Sequence, residues 1–137
     1  MSQLVLLGNE AVQALSDSAH AKHRRVLSHI QVVAARKRRG AAVAVVVPTV
    51  VRVEAGWDRT APGSAFINRL RIQDGPLDSA QANSATAIRN QAGVSVADAH
   101  LGAVIQSATA TRVTVITSDP HDVRAVSGNK SSHIVTI

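Results

Sequence analysis

One short segment limits the possible folds more than any other. Ala41–Val47 has the sequence AAVAVVV and contains only alanine and valine. A strand of this kind is apolar on both sides, so both sides must be covered, as in the middle of a parallel sheet with helices on its two faces. The segment is also far too short to cross a bilayer. We therefore predict an α/β protein built around a mainly parallel sheet.

Predicted strands and helices alternate along the chain. Val26, Leu27 and Ile30 recur at helical spacing, and the basic run before Gly40 is typical of a helix C-terminus. The predicted strands are Gln3–Leu7, Ala41–Val47, Pro76–Leu77, Thr111–Thr117 and Ser132–Ile137. The predicted helices are one from Glu10 with Asn9 as its cap, Ala19–Arg39, one from Pro48, Thr60–Gln73, Ser79–Gln91 with Asp78 as its cap, Val96–Ala110, and one from Asp119-Pro120 through Val126. Such alternation favours parallel strands joined by right-handed crossovers.

The composition fits one globular domain, residues 1–137, with a core of aliphatic side chains. The chain has one Trp, one Phe, no Tyr and no Cys. Without cysteine, disulfides and Cys-ligated zinc are excluded. The apolar start Leu4–Gly8 is too short for a secretory signal, and no segment is long enough for a membrane span. We expect a cytoplasmic protein with no membrane partner.

The chain is strongly basic, with a formal net charge of +6 and twelve arginines against three lysines. This balance indicates an anionic partner, and arginine suits bidentate contacts with phosphate. A GC-rich genome would also enrich arginine, so the composition leaves both explanations open. Because aromatic residues are scarce, contacts with nucleic acid would run through its phosphate backbone and not through base stacking. The basic runs His23–Arg25 and Arg36–Arg39 are either solvated helix faces or contacts with nucleic acid.

Carboxylates follow the most regular of the predicted strands. The segment Val113–Val123, VTVITSDPHDV, places Asp119 and Asp122 directly after an apolar run. In open α/β sheets, ligands bind outside the carboxyl ends of the strands. A hard cation such as Mg²⁺ takes carboxylate oxygens, together with water and substrate phosphate. These acids are therefore a candidate metal site.

Four segments together resemble the PIN-domain family, in particular the VapC-type ribonuclease toxins of bacterial toxin–antitoxin systems. They are Leu4–Leu15 (LVLLGNEAVQAL), Val45–Trp57 (VVVPTVVRVEAGW), Val94–Val104 (VSVADAHLGAV) and Val113–Val123. They are spread over most of the chain, from Leu4 to Val123, in the order that the family shows. The resemblance implies a three-layer α/β/α sandwich, RNA cleavage that depends on Mg²⁺ or Mn²⁺, a VapB-like antitoxin as protein partner, and a homodimer.

The resemblance also implies roles for individual residues. Matched by motif, the catalytic acids are Glu54, Asp98 and Asp119. The same three acids, joined by Asp122, would hold the metal. Thr117 and Ser118 would orient a ligand or a water.

The chain departs from the family at one position. The family has an Asp directly after its first strand, and the matching residue here is Gly8, which offers no ligand. If about 3 kcal/mol of attraction to a divalent ion is lost with that carboxylate, binding or rate falls roughly a hundredfold or more. We therefore expect a nuclease that is weakened or inactive as written. The alternative is a PIN-like module without turnover that still binds antitoxin or RNA.

Each acid also has a purely structural explanation. Asp119 and Asp122 suit the start of the helix at Pro120, and Asp98 suits a helix N-terminus. Glu54 would then face solvent near a neighbouring arginine, Arg52 or Arg59.

A receiver-like fold, as in response regulators, is a further alternative. It needs paired acids where Gly8 and Asn9 stand and a late lysine, for which Lys130 is poorly placed.

Two groups of residues outside the acids are candidate contacts. His100 and His121 lie close to the acids in sequence and are candidates for touching substrate. Phe66, Ile67 and Leu70 form an apolar group that we expect at a homodimer face or in an antitoxin groove.

Overall fold

Five parallel strands form one sheet in the computed structural model, which describes residues 2–137. The strands are β1 (Ser2–Leu7), β2 (Ala42–Pro48), β3 (Gln73–Gly75), β4 (Arg112–Thr117) and β5 (His133–Thr136). They lie in the order β3-β2-β1-β4-β5, so β1 is central and pairs with both β2 and β4. All of these pairings are parallel, which confirms the predicted sheet. None of the helices described within residues 2–137 combines the length and the apolar character that a membrane span needs.

Within residues 2–137, seven α-helices lie between or after the strands. They are α1 (Asn9–Ser16), α2 (His23–Arg38), α3 (Thr49–Ala55), α4 (Ala65–Asn68), α5 (Ser79–Ala92), α6 (Val96–Ser107) and α7 (Pro120–Val126). A short 3-10 turn, Pro62–Ser64, precedes α4.

Alternate side chains of β1 point into two different cores. Val5 and Leu7 pack with residues of α1, α2 and α3 on one side of the sheet. Leu6 packs with Leu101 and Ile105 of α6 on the other side. The sheet is therefore covered on both faces, and the predicted three-layer α/β/α sandwich is confirmed. Burial on both faces also explains why β2 and the last four residues of β1 are apolar.

Small residues let α6 approach both of its neighbouring helices closely. Ala99 and Ala103 pack against Ile88 of α5. Gly102 faces α7, where an added Cβ would lie only 2.6 Å from the Cβ of Val126. This close packing fixes the position of α6, whose first turn carries an acid of the candidate site.

The predicted helix Thr60–Gln73 is wrong. Only a 3-10 turn and the single-turn α4 are helical within it. At its start, the Asp58 carboxylate accepts hydrogen bonds from both the N–H and the hydroxyl of Thr60. These side-chain bonds form a turn in place of a helix. Near its end, Arg71 adopts a left-handed backbone with φ of 58°, which a continuing helix does not allow.

Several other boundaries also differ from prediction, among them one strand and two helix starts. The edge strand ends at Gly75 and does not include Pro76–Leu77, since proline has no N–H with which to continue the ladder. Asn9 is the first residue of α1, and Gly8 takes the cap position. Pro48 is the last residue of β2 and does not begin a helix.

Candidate active site at the carboxyl edge of the sheet

The residue after β1 lies against the end of β4. The Gly8 N–H donates a hydrogen bond to the Ile116 carbonyl at 3.0 Å, which extends the pairing of the two strands by one residue. A Cβ built on Gly8 would lie 3.4 Å from that carbonyl oxygen and 3.8 Å from Thr117 Oγ1. Position 8 therefore faces the loop that carries the next acids, at an ordinary van der Waals distance.

The loop after β4 is held by a short series of hydrogen bonds. Buried Thr117 accepts a hydrogen bond on Oγ1 from the Asp119 N–H at 3.0 Å. Asp119 Oδ1 in turn accepts from the Asp122 N–H at 3.1 Å, so Asp119 caps α7. Exposed Ser118 projects from the same loop. The capping explanation is confirmed, and it uses only one carboxylate oxygen of Asp119.

Asp98 is placed by the start of α6. Ser95 caps this helix, and its Oγ accepts a hydrogen bond from the Asp98 N–H at 3.1 Å. The Asp98 side chain is half-buried in the first helical turn. Here the structural explanation also holds, because a carboxylate in a first turn is favoured by the helix dipole.

The acids of three separate segments interact with one another. Burial raises the pKa of Asp98 above its ordinary value, and the negative charges of Glu54 and Asp119 raise it further, against hydrogen bonds from Ser95 and Asp122. Burial also raises the pKa of Asp122, as do Asp119 and Asp98, while His121 opposes them. A bound cation would offset the negative charges that raise the pKa of Asp98 and of Asp122.

Glu54 lies at the margin of this group. It is exposed near the end of α3 and reaches the other acids only through its effect on Asp98. The two arginines expected beside it have a different partner: Arg52 and Arg59 contact Asp74 at 3.2 and 2.9 Å. Glu54 is therefore open to a ligand and is not engaged by either arginine.

The acids have the right chemistry for a divalent cation, but their positions do not form a complete site. Carboxylates are the ligands that Mg²⁺ and Mn²⁺ prefer. However, among residues 2–137 no group of three or more His, Asp or Glu is close enough to hold one ion together. Position 8 lies next to Thr117, so an acid there would add a further carboxylate beside this loop.

The first turn of α1 holds one unpartnered acceptor, on a residue that was predicted only as a helix cap. Asn9 Oδ1, next to Gly8, is buried and has no hydrogen-bond partner among the described residues. Its signal in the sequence is only its place directly after Gly8. Glu10, by contrast, is engaged elsewhere, because it contacts His20 Nε2 at 3.1 Å and Lys22 Nζ at 3.6 Å.

The two histidines near the acids differ in access. His100 is fully buried, and its Nδ1 accepts a long hydrogen bond from the Val50 N–H at 3.4 Å. Burial lowers the pKa of His100, against the effects of the Pro76 carbonyl and Asp78. His100 is thus a core residue, and the expectation that it could touch substrate is wrong. His121 is exposed beside the acids and remains available.

Comparison with known proteins supports the fold. No protein-family model matches the sequence, and no curated protein matches it. Among solved structures, the chain is similar to one from the crystal structure of VapBC2 from Rickettsia felis bound to a DNA fragment from the promoter of that pair. The likeness has a TM-score of 0.58 and 10% identity, and covers 96% of this chain and 98% of that one. The fold implied by the PIN-domain resemblance is therefore confirmed: this chain has the α/β/α fold of a VapBC2 protein.

Proposed function

We propose that the chain is a VapC-type PIN module of a toxin–antitoxin pair, an endoribonuclease that is weak or inactive while Gly8 occupies the first acid position. One observation carries this proposal. Acids from α3, α6 and the β4–α7 loop interact at the carboxyl edge of a sheet whose fold is that of a VapBC2 chain. This edge is where open α/β sheets bind their ligands.

The residues of the chain would divide the work between them. Asp98 and Asp119 would hold Mg²⁺ or Mn²⁺, with Asp122 and Glu54 as further ligands or orienting groups. A bound metal would activate water and neutralise charge on the scissile phosphate. Thr117 positions Asp119 through its hydrogen bond to the Asp119 N–H. The basic surface of the chain would attract the RNA backbone.

Gly8 explains the weakness that we propose. Its φ and ψ of −82° and 177° are ordinary extended backbone, so no local strain requires glycine there. The site lacks a carboxylate at a position where a Cβ meets its neighbours only at ordinary van der Waals distances. The shortage of converging ligands in residues 2–137 agrees with this explanation.

The experiment compares the parent chain with Gly8→Asp and Gly8→Asn in Mg²⁺ or Mn²⁺ titrations with structured RNA. Aspartate and asparagine have the same shape and both can cap α1, so only the charge differs. We expect cleavage by Gly8→Asp at least a hundredfold faster than by the other two. Loss of that gain in the double variant Gly8→Asp/Asp119→Asn would assign it to this site. Equal rates for the parent and Gly8→Asp would overturn the assignment of Gly8.

A second candidate function is a module without turnover that binds antitoxin or RNA. It is favoured by the same two observations, the glycine at position 8 and the carboxylates that do not converge. Absence of cleavage by every variant, with RNA binding retained in a filter or fluorescence assay, would favour this alternative.

The antitoxin partner that we propose has a candidate surface on α2. A cleft of about 550 Å³ between α2, β2 and the segment after α4 has an apolar floor and a basic rim. The floor includes Ile30, Val33, Ala34, Val43, Val45 and Leu70, and the rim includes Lys37, Arg38, Arg69 and Arg71. An apolar segment flanked by acids would suit it. Of the three apolar residues expected there, Leu70 lines the cleft, Phe66 is exposed outside it, and Ile67 is buried in the core.

We also propose that the protein forms a homodimer and is located in the cytoplasm.

A further inference from the structure

A second cleft opens on the α2 side of the sheet, over β1, β4 and β5. It has a volume of about 200 Å³. Its polar lining consists of Gln3, His29, Arg36, Arg112, Thr114 and His133. Valines and Ile116 complete the walls. The cleft is distinct from the acids, since none of them lines it.

The fold brings these polar side chains together from four elements. His29 and Arg36 are seven residues apart on α2, so two helical turns place them on the same face. On the sheet, Gln3 pairs with Arg112 and Thr114 pairs with His133, which puts each pair side by side on adjacent strands. The strand and helix residues therefore face each other across the opening.

A contact at the far end of the cleft holds α2 against the sheet. Arg25 Nη2 donates a hydrogen bond to the Thr136 carbonyl of β5 at 2.9 Å. This bond joins the first turn of α2 to the edge strand. The gap between α2 and β4–β5 is thus bounded by contacts at one end and open along its side.

The charged side chains that line the cleft are basic. Its lining has two arginines and two histidines, with no Asp or Glu. In the part of the chain that the structure describes, neither Arg36 nor Arg112 has an acid within 4.0 Å. Two unpaired guanidinium groups match a phosphate dianion, and each can donate a pair of hydrogen bonds to it. The amide of Gln3 and the hydroxyl of Thr114 are further donors.

We propose that this cleft binds a phosphate group, from either a mononucleotide or the RNA backbone. Its volume suits one such group and a small part of its carrier. Arg112 is the first residue of β4 and Asp119 comes just after the strand, so about seven residues at ~3.3 Å each separate this arginine from that acid along the chain. The site does not depend on the proposed nuclease function, because it uses no acid and needs no metal.

The test measures binding to the full chain in the presence of EDTA, so that cleavage plays no part. The probes are inorganic phosphate, adenosine monophosphate and a fluorescent single-stranded oligoribonucleotide. Arg36→Gln and Arg112→Gln each remove one guanidinium from the cleft. Arg39→Gln is the matched control, since Arg39 is exposed at the same helix end but lies outside the cleft. Circular dichroism checks that each variant is folded.

We expect the parent to bind at least one probe, with about tenfold weaker binding for Arg36→Gln and Arg112→Gln and little change for Arg39→Gln. Binding of phosphate and mononucleotide would identify a small ligand, while binding of the oligoribonucleotide alone would identify RNA backbone. An equal loss for Arg39→Gln would show a general effect of charge and overturn the proposal. Failure of all three probes to bind would overturn it as well.

Discussion

The backbone N–H of Gly8 donates to the carbonyl of Ile116 at 3.0 Å and so fixes position 8 beside the end of β4. Because this bond involves only main-chain atoms, it holds for any residue at position 8 except proline. The side chain at this position is therefore aimed by the sheet and not by its own contacts. A substitution here changes the chemistry of the site without moving it.

We predict that Gly8→Asp makes the stability of the protein depend on Mg²⁺. Asp at the cap of α1 gains a few tenths of a kcal/mol over glycine. The new carboxylate also adds repulsion to the acids around Asp98 and Asp119, so the net change without metal is small. A cation would relieve that repulsion, and a ligand that binds only the folded state raises its stability. Thermal unfolding of Gly8→Asp should therefore shift upward by several degrees on addition of millimolar Mg²⁺.

The neutral variant Gly8→Asn is the control for this shift. It keeps the cap and lacks the charge, so its melting temperature should be slightly above that of the parent and respond no more to Mg²⁺ than the parent does. A shift of equal size in Gly8→Asn and Gly8→Asp would contradict a metal site at position 8.

The raised pKa of Asp98 predicts how its removal changes stability with pH. Burial is the main cause, followed by repulsion from Glu54 and Asp119. The folded state holds this proton more tightly than the unfolded chain, so the free energy of unfolding falls as the pH rises from 3.8 through the folded-state pKa. Asp98→Asn should remove that fall. Relative to the parent, the variant should gain stability in urea unfolding between pH 3.5 and pH 7.

Asp58→Asn should show the opposite trend and serves as the comparison. Hydrogen bonds from the Thr60 hydroxyl and N–H lower the pKa of Asp58. The stability that this carboxylate contributes is therefore present above pH 3.8 and is lost as the pH falls through the folded-state pKa. The same pH trend for both variants would show that the charge of neither acid is responsible.

The central sheet was predictable because burial on both faces leaves a clear pattern. Ala41–Val47 was predicted as a strand, and β2 differs from it by one residue at each end. The effect of Asp119 on the pKa of Asp98 also agrees with general rules, since each acid comes at the start of a helix at one edge of the sheet. These features depend on local sequence and on the topology of a parallel sheet.

Contacts between distant side chains could not be predicted in the same way. Asp74 lies outside every predicted strand and helix, yet it pairs with Arg52 and Arg59, which lie 22 and 15 residues before it. The break in the predicted helix Thr60–Gln73 likewise depends on hydrogen bonds to Asp58. Neither contact leaves a periodic signal, because both are set by how the segment after α3 folds back along β3.

Adding a single methyl group at Gly102 should lower the stability of the protein. A methyl group there would lie 2.6 Å from Val126 Cβ and 2.7 Å from the Val126 carbonyl oxygen. Alanine would gain about 1 kcal/mol in helix propensity, but overpacking costs about 1–3 kcal/mol and occasionally more when backbone must move. We expect Gly102→Ala to lower the free energy of unfolding in urea. Gly63→Ala, whose Cβ meets nothing within 4 Å, should stay within about 0.5 kcal/mol of the parent.

Arg59 should matter more to stability than Arg52, although both contact the same two side chains. Arg59 Nη2 donates to the Ile72 carbonyl at 2.7 Å and to Asp74 Oδ1 at 2.9 Å, and its guanidinium lies 4.2 Å from the centre of the Trp57 ring. Arg52 has one contact with Asp74 at 3.2 Å and lies 5.6 Å from the ring. We expect Arg59→Ala to cost about 1–3 kcal/mol, because it removes a bond to a backbone carbonyl as well as the ring contact. Arg52→Ala should cost less than about 1 kcal/mol, and urea unfolding at low and high salt should show that most of its effect is screened. Equal costs for the two variants would mean that the shared ion pair with Asp74, and not the Ile72 bond, holds this segment.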